Sequence, residues 1–417
     1  MSILTNFTRT WLTRTASPFV FKNEYNQKLS FAELEGLGLY VHIPFCKRIC
    51  AFCPYCKEIY TEEKCDAYID ALLNEIQIVC ADLKYKKRVT SLYFGGGTPA
   101  LAAKRIGEII VALKRYFIIT EGIGVELHPE NVTVSNLQTL KQAGVTKISI
   151  GIQSFQSKYQ KILGRSAVDA ERIAKTLAEV PFETVSMDFI FALPDQTFAD
   201  LKNDIDTAFS HGANHIAIYP FIDFTFTNSQ VPAMAKKEKR ALLDAITEYC
   251  SKKGYHRDSI WTFSRVREAK YSSMTRDNFL GFGCSATTLL KDSFKINTFS
   301  IEEYQKRISQ KQLPTSLTVR FTARQRMVYY LFWTAYSTRV DPRDFEKFFG
   351  TSLKKAYGFE IKVAKLLGFI KEENGIYVMT PKGAFYYHYY ENFYTLSYID
   401  KMWSVMRKEA FPERIEL

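Results

Sequence analysis

The feature that most constrains the fold is a regular alternation of buried strands and amphipathic helices over the first half of the chain. The strands are short apolar runs, and the helices carry apolar residues at i, i+3, i+4 and i+7. The strands are predicted at 37–43, 89–94, 124–127, 147–152, 184–191 and 216–221, and the helices at 66–83, 105–116, 134–143, 169–180 and 198–211. Such units pair in parallel through right-handed crossovers. We therefore predict an α/β fold built on a partial, open (β/α)6 barrel.

A loop of four closely spaced cysteines follows the first strand. It reads Cys46-Lys-Arg-Ile-Cys50-Ala-Phe-Cys53-Pro-Tyr-Cys56, and its first three cysteines stand in CxxxCxxC spacing. Three thiolates from one such loop can hold three irons of a [4Fe–4S] cluster and leave the fourth iron open. We predict Cys46, Cys50 and Cys53 as metal ligands. We name residues 46–56 the cysteine loop; it lies at the carboxyl end of a strand, where α/β barrels place their chemistry.

A structural zinc site is the main alternative for this loop, since Cys50, Cys53 and Cys56 also read as CxxCxxC. Zinc loops usually pair two CxxC arms, whereas the remaining cysteines of the chain are single. These are Cys65, Cys80, Cys250 and Cys284. Disulfides are disfavoured because the loop thiols are crowded and no secretory context is apparent. Whether Cys56 is a ligand stays open at this point.

Composition limits the setting and the partners of the protein. With 417 residues, 47% of them apolar and 24% charged, the chain has room for one large core and a smaller second one. No apolar run is long enough for a transmembrane segment, and a reducing, cytoplasmic location is expected. The net charge of +12 is scattered over short runs. We therefore predict no nucleic-acid partner, while an anionic small substrate or an acidic membrane surface stays compatible.

A second unit is predicted from about residue 300, where the composition changes. Its helices are expected at 322–338, 341–349 and 353–367. A hairpin at 368–380 follows, because Asn374-Gly375 is typical of a type I′ turn. This arrangement is winged-helix-like, with packing against the barrel favoured over DNA binding. The aromatic tail at 385–403 is predicted to be a helix that covers the barrel. The expected domains are an N-terminal arm 1–35, a barrel 36–300 and a mostly helical C-terminal domain 301–417.

The chain resembles the radical S-adenosylmethionine (SAM) enzymes in two motifs, Tyr40-Val-His-Ile-Pro-Phe-Cys46 and Gly95-Gly-Gly-Thr-Pro99. More narrowly, it resembles their oxygen-independent coproporphyrinogen III oxidase-like branch over about residues 36–290. The further pieces, in the family's order, are Glu126 in Val-Glu-Leu-His-Pro-Glu, Gln153 in Ser-Ile-Gly-Ile-Gln, Arg165, Asp188 in Met-Asp-Phe-Ile-Phe, and Ala286 in Gly-Phe-Gly-Cys-Ser-Ala. The resemblance implies a radical SAM barrel with a [4Fe–4S] cluster and one SAM, with a second SAM left open.

The resemblance also implies roles for individual residues. The open iron would bind SAM, the glycine run would border its methionine amino group, and Arg165 would bind its carboxylate. Glu126 and Asp188 would accept hydrogen bonds from its amino and ribose hydroxyl groups. The residues implied to bind the cofactor are Tyr40, Gly96, Gly97, Thr98, Glu126, Gln153, Arg165, Asp188 and Ala286. Tyr40 and Gln153 are also implied in catalysis, Tyr40 by supporting the cluster and Gln153 by facing a second ligand.

The implied reaction is reductive cleavage of SAM to methionine and a 5′-deoxyadenosyl radical that abstracts hydrogen from the substrate. The substrate would be large, planar and hydrophobic or anionic, a tetrapyrrole above all. An electron donor such as flavodoxin or ferredoxin is the implied partner. Two alternatives stay open: a two-SAM methylase that acts on a quinone or natural product, and a non-catalytic haem-binding or trafficking protein.

The chain departs from the family pattern at three places. The oxidases usually have another cysteine two residues after the third ligand, whereas here Cys56 follows Cys53 by three. Ala192 replaces the glycine that is common before Leu-Pro. The His-Asn-x-x-Tyr-Trp motif of haem-chaperone relatives is not found, since residues 270–276 read Lys-Tyr-Ser-Ser-Met-Thr-Arg. Coproporphyrinogen oxidation and haem delivery are therefore not secured by the resemblance.

Overall fold

Six parallel strands form the barrel wall, as the alternation predicts. The computed structural model describes residues 3–24, 28–227, 231–232, 234–266 and 277–417, so the sequence at 270–276 lies outside the described residues. The barrel strands are Leu37–Ile43, Leu92–Gly96, Ile123–Leu127, Lys147–Gln153, Thr184–Phe191 and His215–Pro220. Each pairs in parallel with the next one along the chain. The prediction of an open α/β barrel is confirmed.

Helices cover the outer face of this wall, which is why its strands read as continuous apolar runs. These helices are Glu62–Cys80, Ala103–Tyr116, Val134–Gln142, Ser157–Ile162, Ala170–Glu179, Phe198–Ser210 and Lys236–Lys252, with short 3₁₀ turns at Pro99–Ala102 and Pro129–Asn131. Side-chain oxygens cap several of them, and Thr197 and Asp200 form a reciprocal capping box. Ile69, Leu72 and Ile76 of the first of these helices are fully buried. Each such side chain stabilises the docked helix by about 1.5–3 kcal/mol.

The sheet is larger than the sequence pattern indicated. Within the described residues it has 14 strands, of which eight flank the barrel wall. Beyond the sixth strand it continues through Thr262–Ser264 and His256–Arg257. On the other side it continues through Asn278–Phe282, Thr287–Leu290, Ser293–Asn297, Thr315–Arg320, Val20–Lys22 and Arg414–Glu416. Two small sheets pair Phe45–Cys46 with Glu58–Ile59 and Lys87–Val89 with Phe117–Ile119.

This sheet crosses the boundary predicted at residue 300. Thr315–Arg320 pairs with Ser293–Asn297 on the other side of that boundary. Val20–Lys22, in the predicted N-terminal arm, pairs with Arg414–Glu416 near the end of the chain. The division into 1–35, 36–300 and 301–417 stays a prediction.

The C-terminal region is mostly helical, and a hairpin follows its helix Leu353–Leu366, as predicted. Its helices are Ile301–Ser309, Ala323–Tyr336, Pro342–Phe349 and Leu353–Leu366, and the helix Ile3–Thr13 lies at the other end of the chain. The hairpin pairs Ile370–Glu373 with Ile376–Met379, and Arg339–Val340 adds a third strand. Both turn residues have positive φ, 52° at Asn374 and 76° at Gly375, which is the type I′ geometry.

The aromatic tail forms a helical segment over the barrel, which confirms that expectation. Its parts are Pro381–Tyr394, a π-helical turn at Thr395–Ile399, and Asp400–Met406, and we name residues 381–406 the C-terminal cap. The Trp261 indole donates a hydrogen bond to Glu391 at 3.1 Å. The Thr225 backbone N–H and hydroxyl each donate to Asp400 at 2.8 Å. No helix in the described part of the chain combines enough length with enough apolar character to span a bilayer.

Two glycines inside helices offer a matched test of how tightly the cap is packed. A Cβ on Gly383 would lie 2.0 Å from the Phe369 carbonyl oxygen, whereas on Gly358 its nearest neighbour would be a Lys354 methylene at 3.6 Å. We expect Gly383→Ala to lower the free energy of unfolding by about 1–3 kcal/mol through overpacking. Gly358→Ala should raise it by up to about 1 kcal/mol through helix propensity. Urea unfolding of both variants measures this, and equal effects would contradict close packing of the cap on the hairpin.

Candidate functional site

A cavity of about 1720 Å³ opens at the carboxyl ends of the parallel strands, and we name it the central cavity. All but one of the residues predicted from the sequence line it. These are Tyr40, Cys46, Cys50, Cys53, Gly96, Gly97, Thr98, Glu126, Gln153, Arg165 and Asp188. Ala286 does not line the cavity: it is 2% exposed, and the lining residue in this turn is Ser285.

The cysteine loop is held by backbone hydrogen bonds at its beginning and its end. Cys46 ends a two-residue strand that pairs with Glu58–Ile59, and its carbonyl accepts from the Tyr60 N–H at 2.9 Å. The Thr98 hydroxyl lies 3.8 Å from the Cys46 thiol. The Lys57 ammonium donates to the Cys53 carbonyl. The glycine-run motif and the chain after the loop therefore both position the thiols.

The three predicted ligands are partly buried thiols that influence one another electrostatically. Burial, with smaller contributions from the neighbouring Cys53 and Cys50, raises the pKa of Cys46 to about 11. Burial also raises the pKa of Cys50, while the positive charge of Arg165 opposes that shift. In the metal-free protein Cys46 and Cys50 are thus protonated at neutral pH, and a metal must displace those protons to bind.

The distances between the thiols of the cysteine loop distinguish a site for an iron–sulfur cluster from a site for a single metal ion. Among the described residues, one group of possible metal ligands (His, Cys, Asp or Glu) has all of its ligand atoms within 4.8 Å of one another. This group consists of His42, Cys56 and Cys284. The three loop thiols do not form such a group. Thiolates on one zinc, at about 2.3 Å from the metal, would lie roughly 4 Å apart. The wider spread fits a multi-iron cluster better than the zinc alternative.

The Cys56 side chain packs in the protein interior and not at the edge of the cysteine loop. Its thiol lies 4.0 Å from that of Cys284 and 3.2 Å from the Phe299 carbonyl oxygen. One ring nitrogen of His42 contacts the Cys56 carbonyl at 3.1 Å, and the other contacts the Tyr40 hydroxyl at 3.0 Å. Because both ring nitrogens have partners, His42 orders the loop and the adjacent tyrosine instead of offering a free metal ligand.

The glycine run is needed for contacts within the protein. A Cβ on Gly96, which has a φ of 121°, would lie 2.6 Å from the His42 ring. A Cβ on Gly97 would lie 2.6 Å from the Phe45 carbonyl oxygen. At both positions the absence of a side chain lets the first strand and the cysteine loop approach closely, and the implied role of these glycines beside SAM stays a prediction.

Two buried carboxylates line the cavity, each with its own hydrogen-bond donors. Glu126 accepts from the Tyr93 hydroxyl at 3.0 Å and the Gly96 N–H at 3.2 Å. Burial, and then the charge of Asp188, raise the pKa of Glu126 to about 7. Burial also raises the pKa of Asp188 to about 6, although two serine hydroxyls oppose this.

Those serines were not predicted as site residues. Ser149 donates to one Asp188 oxygen at 2.7 Å, and Ser186 donates to the other at 3.0 Å. Ser186 in turn contacts the Nδ1 of His215 at 2.9 Å. A signal was available, because Ser186 and Asp188 are two apart on one strand and share a face. Tyr93, which holds Glu126, carries no comparable signal.

Arg165 and Gln153 meet beside Gly151. A Cβ on that glycine would lie 3.0 Å from the Gln153 amide nitrogen and 4.0 Å from the Arg165 guanidinium. Gln153 ends its strand with a φ of 70°, a strained conformation that often occurs at functional positions. The Arg165 guanidinium donates no hydrogen bond to any residue that the structure describes. It lies within electrostatic range of the Cys50 and Cys53 thiols and is available to an anion.

Residues 40–208 match the family described as the Radical SAM superfamily. Over these residues the chain carries a radical SAM domain. It is 25% identical over 366 residues to a Bacillus subtilis protein named heme chaperone HemW, covering 82% of this chain and 95% of the relative. It is 27% identical over 308 residues to the Escherichia coli oxygen-independent coproporphyrinogen III oxidase, covering 66% of each. The chain is thus similar to proteins of the coproporphyrinogen oxidase-like branch.

The fold of the chain also matches a solved structure. The E. coli coproporphyrinogen III oxidase HemN superimposes with a TM-score of 0.74, covers 89% of this chain and 94% of that protein, and is 21% identical. The superfamily uses a [4Fe–4S] cluster and SAM. The residues here fit both groups, since three spread thiols face the same cavity as a guanidinium without a partner and two carboxylates.

Cysteine variants separate the ligands from Cys56. After anaerobic reconstitution we expect about four irons per chain in the natural protein. Cys46→Ala, Cys50→Ala and Cys53→Ala should each lose most of that iron. Cys56→Ala should retain it, because its thiol contacts Cys284 and Phe299 instead.

Cys284→Ala is the matched control, since it removes the same buried contact from the other side. Iron and sulfide analysis with the visible spectrum measures the outcome. Loss of iron in Cys56→Ala but not in Cys284→Ala would make Cys56 a ligand.

Proposed function

We propose that this chain is a radical SAM enzyme that abstracts hydrogen from a large planar substrate, a tetrapyrrole above all. The observation that carries the proposal is the continuity of the central cavity. It extends from the three loop thiols to an aromatic wall contributed by the barrel and the C-terminal cap. A cofactor and a large flat molecule can therefore occupy the same enclosed space.

The barrel side of the cavity would bind SAM. Arg165, whose guanidinium has no hydrogen-bond partner among the described residues, would bind the carboxylate as a bidentate pair. Glu126 and Asp188 would accept hydrogen bonds from amino and hydroxyl groups, each already oriented by protein donors. When bound, the cluster would supply the electron for reductive cleavage of SAM. The role of the protein is then to orient the cofactor and exclude water.

The other side of the cavity suits a flat substrate. Its aromatic lining includes Tyr55, Phe224, Trp261, Phe299, Tyr336 and Trp403. Aromatic rings bind planar molecules by stacking and edge contacts. Lys47, Arg48 and Lys57 line the same cavity and would attract anionic substituents.

The relatives support this proposal and also motivate a second candidate. The E. coli relative is named as a coproporphyrinogen III oxidase, which agrees with hydrogen abstraction. The B. subtilis relative is named as a heme chaperone, so a haem-binding or trafficking role is the second candidate. A two-SAM methylase stays a further alternative. The proposal also includes a flavodoxin or ferredoxin electron donor, no nucleic-acid partner and a cytoplasmic location.

Turnover of SAM distinguishes an enzyme from a chaperone. We expect the anaerobically reconstituted protein with dithionite and SAM to form 5′-deoxyadenosine, and Cys50→Ala to abolish it, because that variant lacks a cluster ligand. Mass spectrometry measures deoxyadenosine and any product from coproporphyrinogen III. Carbon dioxide release without methyl incorporation supports oxidation, whereas label transferred from methyl-labelled SAM supports the methylase.

The chaperone predicts a different result. Haem would be retained on purification, and no deoxyadenosine would form above the Cys50→Ala background. That outcome would overturn the proposed enzyme.

Arg165→Lys tests the carboxylate site. Loss of a bidentate, buried, charge-assisted contact should weaken SAM binding about tenfold or more. Equilibrium dialysis of the reconstituted protein measures this, with iron content as the check that the cluster is intact. Arg48→Lys is the matched control, because its side chain lines the same cavity but is 70% exposed. Equal SAM affinity of natural protein and Arg165→Lys would contradict the assignment.

A further inference from the structure

Glu391 is a carboxylate in the aromatic half of the central cavity that the proposed SAM site does not use. It lies in the helix Pro381–Tyr394 of the C-terminal cap and lines the cavity opposite the barrel. Its Oε2 accepts a hydrogen bond from the Trp261 indole N–H at 3.1 Å. Its Oε1 accepts none from any residue that the structure describes.

The position of this carboxylate is fixed by its neighbour. Trp261 is 1% exposed. Its ring packs edge-on against His388 at 4.4 Å between centroids, and it meets the Phe191 ring in a tilted arrangement at 5.8 Å. The indole N–H therefore has a fixed direction, and it holds one oxygen of Glu391. The other oxygen is left for the cavity.

The charge of Glu391 has no counter-ion within the described part of the chain. No lysine or arginine there forms an ion pair with it, and the groups that influence it are limited to its burial and Trp261. His388, one helical turn earlier, does not compensate, because burial lowers its pKa to about 3 and keeps it neutral. Burial raises the pKa of Glu391 itself to about 7. A carboxylate with one hydrogen bond and no cation beside it among the described residues favours a ligand that brings a donor or a positive charge.

The aromatic surroundings define the shape of such a ligand. Tyr336 lies within electrostatic range of both Glu391 and Tyr55 of the cysteine loop, so it connects the two ends of the cavity. Tyr394 and Trp403 line the same space. A ligand that reaches Glu391 must therefore pass between aromatic rings, which selects a flat molecule.

We propose that Glu391, held by Trp261, is a recognition site for an N–H or ammonium group carried by a flat ligand. This inference rests on the proposed function, because the natural ligand of the Glu391 site is the substrate. It narrows the substrate class: the planar molecule presents a hydrogen-bond donor on the face or edge that meets the C-terminal cap. Glu391 is thereby a specificity-determining residue that neither the cysteine loop nor the SAM motifs indicate.

Two fluorescent probes of equal ring size test this site. Proflavine (3,6-diaminoacridine) is a cation with N–H donors at pH 8, and acridine is neutral and has no donor. We expect the full-length protein to bind proflavine at least about tenfold more tightly than acridine, as a charge-assisted contact implies. Glu391→Gln, which keeps the shape and removes the charge, should abolish that preference while acridine affinity stays the same. Fluorescence titration without SAM or reductant measures both.

Two further variants complete the design. Glu409→Gln is the matched control, because Glu409 is exposed near the end of the cap. Trp261→Phe keeps the carboxylate but removes the donor that orients it, and should reduce the preference for proflavine. If circular dichroism shows that Glu391→Gln does not fold, Trp261→Phe is used in its place, and a reduced preference for proflavine is again expected.

The outcomes are distinct from those of the proposed function. The site is wrong if Glu391→Gln keeps the preference, if it weakens both probes equally, or if Glu409→Gln has the same effect. Tighter binding of acridine than of proflavine to the natural protein would also overturn it, since the acid would then act as a donor. Because no SAM is present, the result does not depend on whether the protein cleaves SAM.

Discussion

The functional end of this protein depends on the close approach of its first two barrel strands. In the register of Leu37–Ile43 with Leu92–Gly96, His42 lies opposite Gly95 and Ile43 opposite Gly96. The His42 ring fills the position that a side chain on Gly96 would need. The first strand is also paired on its other side, with Asn278–Phe282. The cysteine loop therefore begins at a strand that is paired on both sides, and this pairing fixes where the thiols lie.

Buried acids with dedicated donors extend this rigidity away from the sheet. Glu75 accepts from the Gly283 N–H and the Tyr304 hydroxyl, both at 2.7 Å, and from the Asn297 amide at 3.3 Å. Burial raises its pKa to about 7, while these donors oppose the shift and favour the charged form. Removing one donor from a buried acid costs about 1–3 kcal/mol. Glu75 thus ties the helix after the cysteine loop to the turn after Asn278–Phe282.

The barrel wall and the thiol ligands were predictable because both carry dense local signals. Long buried strands read as apolar runs, and the cysteine spacing is set by one short loop. The flanking strands were missed for the opposite reason. Val20–Lys22 and Arg414–Glu416 have three residues each, too few for a periodic pattern, and they exist only because distant segments pair.

The same difference between local signals and long-range contacts applies to the site residues. Arg165, in the loop after the helix Ser157–Ile162, and Asp188, within the strand Thr184–Phe191, were predicted from motifs and line the cavity. Ala286 was assigned from its motif, but its turn exposes Ser285, which has a φ of 54°, instead. Ala192 has a φ of 66°, a left-handed conformation that favours glycine, so the glycine that the family pattern implies before Leu-Pro would fit this position. Glu391 could not be predicted, because nothing in an aromatic helix indicates which residue will meet an indole from the barrel.

Pairing of the chain ends is what makes the open barrel into an enclosed cavity. A partial barrel leaves a gap, and the C-terminal cap covers it through Asp400 on Thr225 and Glu391 on Trp261. Immediately after the cap, Arg414–Glu416 joins the sheet through Val20–Lys22. Both ends of the cap are thereby tied to the barrel, one through the hairpin and one through the sheet. The flat ligand space is bounded by a lid that the sheet itself holds in place, so its width is set by the fold and not by a mobile loop.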